Sequence, residues 1–504
     1  MSCIMENQTV SWRIPFNKPG LTGNELHYIA EAITRGQSSG GGGFTRKCHA
    51  LLQQILGSGP VLLTTSGTHA LEMAALLLRI QPGDEIIDPS FTFVSTVNAF
   101  VIRGARPVFI DNRPDTLNLD EAQLASLVTP RTQAVLPVHY AGVACEMDRI
   151  LAIASQNGLA VVEDNAHGLF GRYKEKALGT FGCLAAQSFH ETKNLICGEG
   201  GALVINDEAL FERAEIIREK GTDRSRFFRG MVDKYTWVDI GSNYLPADIL
   251  AAFLYAQLEN RQQIMARRRR IWESYNSSLH DWGLKHNVQL PHIPPDCEQP
   301  FHMFYIIMPT LETRQALIDH LKSRGILSVF HYLPLHLSPM GRSFGGRRDG
   351  CPVTERISDC LLRLPFYNDL SENEQAEVVA AIQQFDRWTP SNIAKAARSP
   401  VTGTGTVAGN QCCTEFRTNA VIERRNYDIL GVRVLGQRVL TRLCAGLWNT
   451  SCRESCKRGA LLPMLNTAAF ELEHGVGRQT PPQPGNKSAL KLWLIRRLDF
   501  SKNR

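Results

Sequence analysis

The sequence lacks the long apolar segments that mark secreted and membrane-spanning proteins. Glu6, Arg13 and Lys18 interrupt the first 18 residues, where a signal peptide needs roughly 7–15 consecutive apolar residues. Elsewhere no uninterrupted apolar run approaches the ~20 residues that cross a bilayer. We therefore expect a cytoplasmic protein with no membrane partner.

Cysteine is present, but it lacks the spacing of a disulfide framework or a metal site. The 13 cysteines are irregularly spaced, and five of them follow residue 388. Cys452 and Cys456 have no suitably spaced second pair to complete a zinc site. With no export signal, this pattern indicates reduced thiols and predicts no bound metal.

Acidic residues are scarce only near the end of the chain. Residues 389–504 hold 18 Lys and Arg against 7 Asp and Glu, whereas residues 1–388 hold 37 against 42. A nucleic-acid-binding protein would place its positive charge on the folded body, so we expect no nucleic-acid partner. The tail also contains stretches rich in Ser, Thr, Gly and Pro that are typical of linkers. We predict that residues 389–504 form a basic extension that is poorly ordered or without function.

Between residues 61 and 205, short apolar and β-branched runs alternate with turns and helical patterns. The predicted strands are residues 61–64, 85–87, 108–110, 134–138, 160–163, 185–189 and 201–205. Several of these runs are apolar throughout, as in strands that helices cover on both faces. The alternation predicts an α/β domain with a mostly parallel seven-stranded sheet.

Helical patterns and a second, smaller unit surround this sheet. Residues 69–80 form a helical pattern that ends before Pro82 and Gly83, and residues 248–275 read as one long helix. Further on, a strand-like run at 303–308 and helical patterns at 313–324 and 372–385 predict a small α+β unit. We place the large α/β domain at residues 1–265 and the small C-terminal α+β domain at residues 266–388.

Four local features follow predicted strands, where open α/β sheets bind ligands. Ser66-Gly67-Thr68 suits a phosphate through its amides and the following helix N-terminus, although a helix cap at Ser66 or Thr68 is the commoner reason for such a turn taken alone. Asp164 ends a buried strand, where a carboxylate needs a cation or hydrogen-bond donors, and it could also cap a helix. Phe93 could stack on a planar ring or belong to the core.

The fourth feature is Lys193 in the segment SFHETKN, which follows a predicted strand. A lysine in a sheet crevice can be desolvated and become a nucleophile for a Schiff base, whereas a solvated surface lysine is the common alternative. A phosphate turn, an aromatic face, an acid and a lysine together are what pyridoxal 5'-phosphate requires. The combination therefore predicts a pyridoxal phosphate site.

The chain also resembles the sugar-nucleotide aminotransferases of the DegT family over roughly residues 14–385. The motifs of the resemblance are IPFNKPGLTGNEL, GGGFTRKC, TTSGTHALEMAALLL, DPSFTFVSTVNAF, PVHYAGVACEMD, VVEDNAHG, SFHETKN with GEGG, and DIGSNYLPADILAAF. The resemblance implies the PLP-dependent transferase fold type I. It also implies an obligatory homodimer with shared active sites.

The resemblance assigns roles to individual residues. Lys193 would hold the cofactor as a Schiff base and move the proton between cofactor and substrate, and Asp164 would pair with the pyridinium nitrogen. Phe93 would stack on the ring, and His167 would lie near the phenolic oxygen. The phosphate would be bound by Gly67, Thr68 and Ser188, with Asn243 reaching it from the neighbouring subunit.

Within the family, SFHETKN, KGTDRSRFFRGMVDKYTW and HYLPLH resemble the members that make a dTDP-amino sugar for enterobacterial common antigen. This implies transfer of the amino group of L-glutamate to C4 of dTDP-4-dehydro-6-deoxy-D-glucose by a ping-pong mechanism. The product would be dTDP-4-amino-4,6-dideoxy-D-galactose. The candidate substrate-binding residues are Phe44, Arg224, Arg229, His331, Tyr332 and His336.

Other functions of the same fold remain open at this point. Relatives differ in the 4-keto nucleotide sugar they use, so a different acceptor sugar is one alternative. A sugar dehydratase of this fold would have a histidine in place of Lys193. A non-catalytic regulator would be expected to lack Lys193 or Asp164, and both are present.

Overall fold

The computed structural model describes residues 12–386. The predicted basic extension at 389–504 lies outside these residues. Within the described part, the strands are β1 (Val61–Thr64), β2 (Glu85–Pro89), β3 (Arg106–Ile110), β4 (Thr132–Val135), β5 (Ala160–Asp164), β6 (Arg172–Tyr173), β7 (Lys176–Ala177), β8 (Leu184–Ser188), β9 (Gly201–Ile205), β10 (Cys297–Glu298), β11 (Tyr305–Ile307) and β12 (Leu361–Arg363).

The central layer is a seven-stranded sheet with the strand order β1-β9-β8-β5-β4-β2-β3. The pairs β2–β3, β2–β4, β4–β5 and β5–β8 are parallel, whereas β9 runs antiparallel to both of its neighbours, β1 and β8. The predicted mostly parallel seven-stranded sheet is therefore confirmed, with each predicted strand near its expected position. The largest shift is in β4, which ends at Val135 rather than at residue 138.

Fourteen α-helices belong to the described residues and pack around the sheets. They are α1 (Glu25–Thr34), α2 (Gly43–Leu56), α3 (Gly67–Leu77), α4 (Val94–Val101), α5 (Glu121–Leu127), α6 (Met147–Gln156), α7 (Phe211–Arg218), α8 (Arg224–Phe228), α9 (Asp248–Glu259), α10 (Arg261–His286), α11 (Leu311–Ser323), α12 (Pro339–Ser343), α13 (Pro352–Cys360) and α14 (Glu372–Gln383). None of the described helices is both long and apolar enough to cross a membrane.

The single long helix predicted at residues 248–275 is wrong. The segment forms two helices, α9 and α10, that meet at Asn260, and α10 continues to His286. The Asn260 side-chain amide donates to the carbonyl of Ala256 at 3.0 Å, so it caps the end of α9. The helical pattern continues on both sides of this residue, so the break cannot be recognised from the pattern.

A second, smaller layer is formed by residues that come after the large sheet in the chain. The strands β11 and β12 pair antiparallel, and α10, α11 and α14 contribute to the same apolar core as these strands. The first described residues join this layer, because Ile14 pairs with Ile326 in a parallel bridge. The expected helices at 313–324 and 372–385 correspond to α11 and α14.

The large sheet brings several chain segments to one edge. The parallel strands β2 and β5 end at Pro89 and Asp164, just before Phe93 and His167 respectively. The antiparallel pair β8 and β9 encloses residues 189–200, since Ser188 lies opposite Gly201 in the register. Lys193 is therefore held on a loop that leaves and returns at the carboxyl end of β8.

Candidate active site

A cavity of about 760 Å³ lies between the large sheet and the smaller layer. Nine of the residues that the sequence singles out line it: Gly67, Thr68, Phe93, Asp164, His167, Ser188, Lys193, His331 and Tyr332. They come from segments spread over more than 260 positions of the chain. The fold thus brings together most of the predicted cofactor site.

The turn before α3 forms one wall of the cavity. The Ser66 hydroxyl accepts a hydrogen bond from the backbone N–H of His69 at 3.1 Å, so the expected helix cap is present. A Cβ on Gly67 would lie 3.1 Å from the Cβ of Ser188 and 3.2 Å from the Gln187 carbonyl, so glycine allows α3 to start against β8. The helix N-terminus and the Ser188 side chain therefore meet at a place suited to a phosphate.

Asp164 is a buried carboxylate with two ordered donors. Its Oδ2 accepts from the Thr96 hydroxyl at 2.7 Å, and its Oδ1 accepts from the backbone N–H of Ala166 at 3.1 Å. The side chain is 6% exposed and still lines the cavity. These contacts fix the carboxylate in one orientation, where a cationic ring nitrogen would find an anion.

Lys193 is partly buried in the same cavity. Burial lowers the pKa of its amine to about 8, the charge of Asp164 opposes this shift, and the charge of Arg363 adds to it. A larger fraction of the amine is therefore neutral near neutral pH than for a solvated lysine. The neutral form is the nucleophile that a Schiff base requires.

A group of histidines packs beside the lysine. The rings of His167 and His302 stack with their centroids 4.3 Å apart. Burial holds the pKa of each well below its usual range, and the charges of Lys193 and Arg363 act in the same direction. The Nδ1 atom of His167 accepts from the backbone N–H of Ala141 at 3.3 Å, which leaves Nε2 as the protonated nitrogen.

His331 and Tyr332 enter the cavity from the smaller layer. The Nδ1 atom of His331 lies 2.7 Å from the hydroxyl of the buried Tyr140, and its ring stacks on Tyr332 at 3.6 Å. Burial raises the pKa of the Tyr140 hydroxyl, which keeps it protonated as a donor. The ring of Phe93 is 56% exposed and lies 6.3 Å from that of Tyr332.

The structure does not bring Phe44 and His336 to this cavity. Phe44 is 2% exposed and packs in the core of the large layer, against Tyr28 and Tyr255. His336 is 1% exposed, with Nδ1 at 2.5 Å from the Ser90 hydroxyl and Nε2 at 3.1 Å from a Glu355 carboxylate oxygen. Both are core residues here rather than ligand contacts, because their surfaces are already covered.

Arg224, Arg229 and Asn243 also lie outside the residues that line the cavity. Arg229 forms two hydrogen bonds to the carboxylate of Glu215 at 2.7 and 3.1 Å, and Arg224 lies 3.8 Å from Glu219. Asn243 is exposed, on a segment that bridges to Glu219. These three residues remain accessible on the surface of a single chain.

Three residues that line the cavity, Phe16, His302 and Arg363, were not predicted from the sequence, and neither was Thr96 next to it. Thr96 contacts Asp164, and the other three line the cavity. Phe16 and Arg363 are more than 340 positions apart and meet only through packing of the N-terminal segment. No local pattern marks Phe16 or His302, whereas the charged Arg363 at the end of an otherwise apolar strand is a usable signal.

The cavity residues fit pyridoxal phosphate. A turn at a helix N-terminus, an anchored carboxylate, an aromatic face and a lysine with a lowered pKa all line one space. Among residues 12–386, no group of three or more His, Cys, Asp or Glu side chains is arranged to hold a metal ion. The donor set is therefore that of an organic phosphate cofactor with an aldehyde.

The fold and the site define a PLP-dependent aminotransferase of fold type I. The chain belongs to the DegT/DnrJ/EryC1/StrS aminotransferase family, whose model matches residues 20–383.

Comparisons with individual proteins agree with this placement. The GDP-perosamine synthase of Caulobacter vibrioides is 34% identical over 376 residues, which cover 74% of this chain and 98% of the relative. The structure of DesV from S. venezuelae, solved with a ketimine intermediate, is similar with a TM-score of 0.67 and 30% identity, over 77% of this chain and 100% of that chain. The sugar aminotransferase Spr1654 of Streptococcus pneumoniae, solved in its PMP form, shares the fold with a TM-score of 0.69 and 24% identity, over 76% of this chain and 100% of that chain.

Proposed function

We propose that this aminotransferase acts on a nucleotide sugar, moving the amino group of L-glutamate to C4 of dTDP-4-dehydro-6-deoxy-D-glucose. The products would be 2-oxoglutarate and dTDP-4-amino-4,6-dideoxy-D-galactose. One observation supports the transamination most strongly: Lys193 and the anchored Asp164 line the same cavity. We further propose that the protein works in the cytoplasm.

The proposal gives separate roles to Asp164, Phe93 and Lys193. Pyridoxal phosphate would supply the aldehyde that accepts the amino group and the ring that stabilises negative charge. Asp164 would hold the ring nitrogen in its cationic form, and Phe93 would cover the ring. Lys193 would act as the base and acid that moves the proton, because its pKa of about 8 allows both forms near neutral pH.

The phosphate end and the oxygen side of the cofactor would be held by other groups. Gly67, Thr68 and Ser188 would bind the phosphate at the start of α3. The protonated Nε2 of His167 would donate to the phenolic oxygen of the cofactor. These assignments use residues that all line the cavity.

The dTDP-linked substrate is favoured by the three stretches SFHETKN, KGTDRSRFFRGMVDKYTW and HYLPLH. The last of these contains His331 and Tyr332, which line the cavity on the side opposite the large sheet. These two side chains are the ones we propose for contact with the sugar. We retain Arg224 and Arg229 as candidates for binding the diphosphate, since guanidinium groups match that geometry.

A GDP-linked sugar is the second candidate. The observation that favours it is the name of the relative from Caulobacter vibrioides, a GDP-perosamine synthase. The keto sugar that amination would convert into GDP-perosamine is therefore the competing substrate.

The two substrates can be compared in one experiment. The purified enzyme is loaded with L-glutamate, the keto acid is removed, and each keto sugar is added separately. We expect the dTDP-sugar to restore the aldehyde form of the cofactor, with an axial C4 amine in the product by NMR. Restoration by the GDP-sugar alone would contradict the dTDP assignment while leaving the aminotransferase in place.

We propose a homodimer in which Asn243 of each chain completes the site of its partner subunit. The supporting observations are that Asn243 is exposed and that large apolar side chains nearby, including Phe228 and Trp237, are 69% and 77% exposed. Mixing Lys193→Ala with Asn243→Asp chains tests this, since a mixed dimer contains one intact site. We expect about a quarter of wild-type activity after random reassociation, and no recovery would contradict a shared site.

A further inference from the structure

His302 lines the cavity and is hydrogen-bonded to the residue that follows Lys193. Its Nδ1 atom lies 2.7 Å from the Oδ1 atom of Asn194, and the residue is 7% exposed. The Nδ2 atom of Asn194 donates to the Pro300 carbonyl at 2.7 Å, which fixes the orientation of the amide group. Because the amide oxygen faces His302, the imidazole carries its proton on Nδ1.

This tautomer leaves a lone pair on the Nε2 atom of His302. Burial holds the pKa of the ring well below its usual range, and the nearby His167 and Lys193 act in the same direction. The ring is therefore neutral at neutral pH, with Nε2 unprotonated. Among residues 12–386, Nε2 receives no hydrogen bond. The cavity wall thus contains an acceptor that has no donor from the protein.

The other two histidines that enter the cavity have the opposite arrangement. The Nδ1 atom of His167 accepts from the backbone N–H of Ala141 at 3.3 Å, and the Nδ1 atom of His331 accepts from the Tyr140 hydroxyl at 2.7 Å. Burial lowers the pKa of both rings, so each is neutral and carries its proton on Nε2. Both can donate through Nε2, whereas His302 can only accept through this atom.

A free acceptor selects a ligand that brings a donor. A keto sugar carries hydroxyl groups, whereas the carboxylates of L-glutamate only accept hydrogen bonds at neutral pH. An unpaired lone pair at this position therefore favours the sugar over the amino donor.

We propose that the Nε2 atom of His302 accepts a hydrogen bond from the C3 hydroxyl of the keto sugar. This hydroxyl is adjacent to C4, the carbon that has to reach Lys193, and His302 is hydrogen-bonded to Asn194 directly after that lysine. The inference rests on the proposed use of a 4-keto nucleotide sugar. It makes His302 a specificity residue for the second half of the reaction.

A pair of substrates tests the hydrogen bond in the full-length holoenzyme. L-Glutamate converts the cofactor to its amino form, the keto acid is removed, and dTDP-4-dehydro-6-deoxy-D-glucose or its 3-deoxy analogue is added. The return of the aldehyde form is followed by absorbance. We expect wild type to react with the analogue roughly 10-fold more slowly in kcat/KM, since Nε2 would then stay unpaired.

Two variants of His302 separate its two nitrogen atoms. His302→Asn keeps a donor toward Asn194 and removes Nε2, so it should react roughly 10-fold more slowly with the 3-hydroxy sugar and show no preference between the two sugars. His302→Gln can offer an amide oxygen in place of Nε2 and should keep a preference of about 3-fold. In both variants the glutamate half-reaction should change by less than about 3-fold. His280→Asn is the matched control, because His280 is exposed on α10 and lies outside the cavity.

A binding measurement gives a readout that does not depend on turnover. dTDP-D-glucose has a C3 hydroxyl but no keto group, and dTDP has no sugar, so both are titrated into the cofactor-loaded enzyme by calorimetry. His302→Asn should bind dTDP-D-glucose roughly 10-fold more weakly than wild type does. Its affinity for dTDP should stay within about 2-fold of the wild-type value.

The outcomes distinguish the possible roles. Equal rates of wild type with the two sugars would overturn the proposal, even if no variant folds. Equal losses of His302→Asn in both half-reactions would also overturn it, because His302 would then act on Lys193 or on the fold rather than on the sugar. Wild type that accepts the amino group of glutamate but aminates neither sugar would refute the proposed function itself.

Discussion

The hydroxyl of Thr96 donates to the Oδ2 atom of Asp164 over 2.7 Å, in a region where both residues are almost completely buried. The same hydroxyl lies 2.9 Å from that of Thr92, so a short chain of hydroxyl groups ends on the carboxylate. Thr96 lies in α4 and Asp164 ends β5. A side chain of helix α4 therefore holds the Asp164 carboxylate, which is the proposed partner of the cofactor's ring nitrogen.

Removing that hydroxyl should weaken cofactor binding. A hydrogen bond to a charged group contributes about 1.5–3 kcal/mol, so Thr96→Val should raise the dissociation constant of pyridoxal phosphate by roughly 10-fold or more. Thr96→Ser keeps the hydroxyl and should stay near wild type. Absorbance titration of the apoenzyme measures both, and equal affinity of the valine variant and wild type would argue against the positioning role.

Lys193 should be essential for turnover but not for folding. Lys193→Ala removes the amine that we propose attaches the cofactor and moves the proton, so activity should disappear while circular dichroism and melting behaviour remain close to wild type. Lys174→Ala is the control, because Lys174 is an exposed lysine paired with Asp148. Wild-type rates in Lys193→Ala would refute the assignment.

Attachment of the cofactor should depend on pH through Lys193. Since its pKa is lowered to about 8, the observed rate of covalent capture should rise about tenfold per pH unit below pH 8 and level off above it. Asp164 raises this pKa, so Asp164→Asn should move the midpoint to lower pH. Stopped-flow absorbance at a series of pH values measures the midpoint, and a midpoint near 10.5 in wild type would contradict the desolvated lysine.

Asp88 should reduce stability at neutral pH. Its carboxylate is fully buried in β2, both oxygens lack hydrogen-bond partners among the described residues, and burial raises its pKa well above the usual value. The folded state thus binds more protons than the unfolded state, and stability falls by about 1.4 kcal/mol per pH unit as pH rises from about 3.8 to the folded pKa. Asp88→Asn removes this loss.

Urea unfolding at several pH values measures the effect. The stability gained by Asp88→Asn over wild type should grow from pH 4 upward, whereas Asp349→Asn, at an exposed carboxylate, should show no such trend. A constant difference at all pH values would mean that the Asp88 carboxyl does not titrate as described.

The final segment should be dispensable for catalysis. The family model matches residues 20–383, and the sequence pattern changes after residue 388. A chain that ends at residue 388 should therefore keep wild-type kcat and KM. Loss of folding or of activity on truncation would show that residues 389–504 contribute to the enzyme.

The sheet was predictable because its strands are short, apolar and separated by turns. Buried strands such as β1 and β9 consist almost wholly of apolar residues, and this pattern is local. The break at Asn260 was missed because helix-forming residues continue on both sides of it. The boundary between α9 and α10 is marked by the hydrogen bond from the Asn260 side chain to the Ala256 carbonyl, which the pattern of apolar and polar residues does not reveal.

The site was predictable where its residues follow strands. Asp164, Lys193 and the Gly67 turn all stand at strand ends, which in parallel sheets meet at one edge. Arg363 and His302 could not be found in this way, since they reach the cavity from the smaller layer. Phe44 and His336 belong to the motifs GGGFTRKC and HYLPLH, but a motif does not show which of its side chains face a cavity, and the fold buries both elsewhere.

The central claim is that this protein transfers an amino group from L-glutamate to C4 of a nucleotide-linked keto sugar through Lys193. The most direct test is a two-stage single turnover with ¹⁵N-labelled L-glutamate, removal of the keto acid, and addition of dTDP-4-dehydro-6-deoxy-D-glucose. The account predicts one ¹⁵N per active site at C4 of the sugar by NMR, and none with Lys193→Ala. Conversion of the sugar without ¹⁵N, or unchanged transfer by Lys193→Ala, would contradict it.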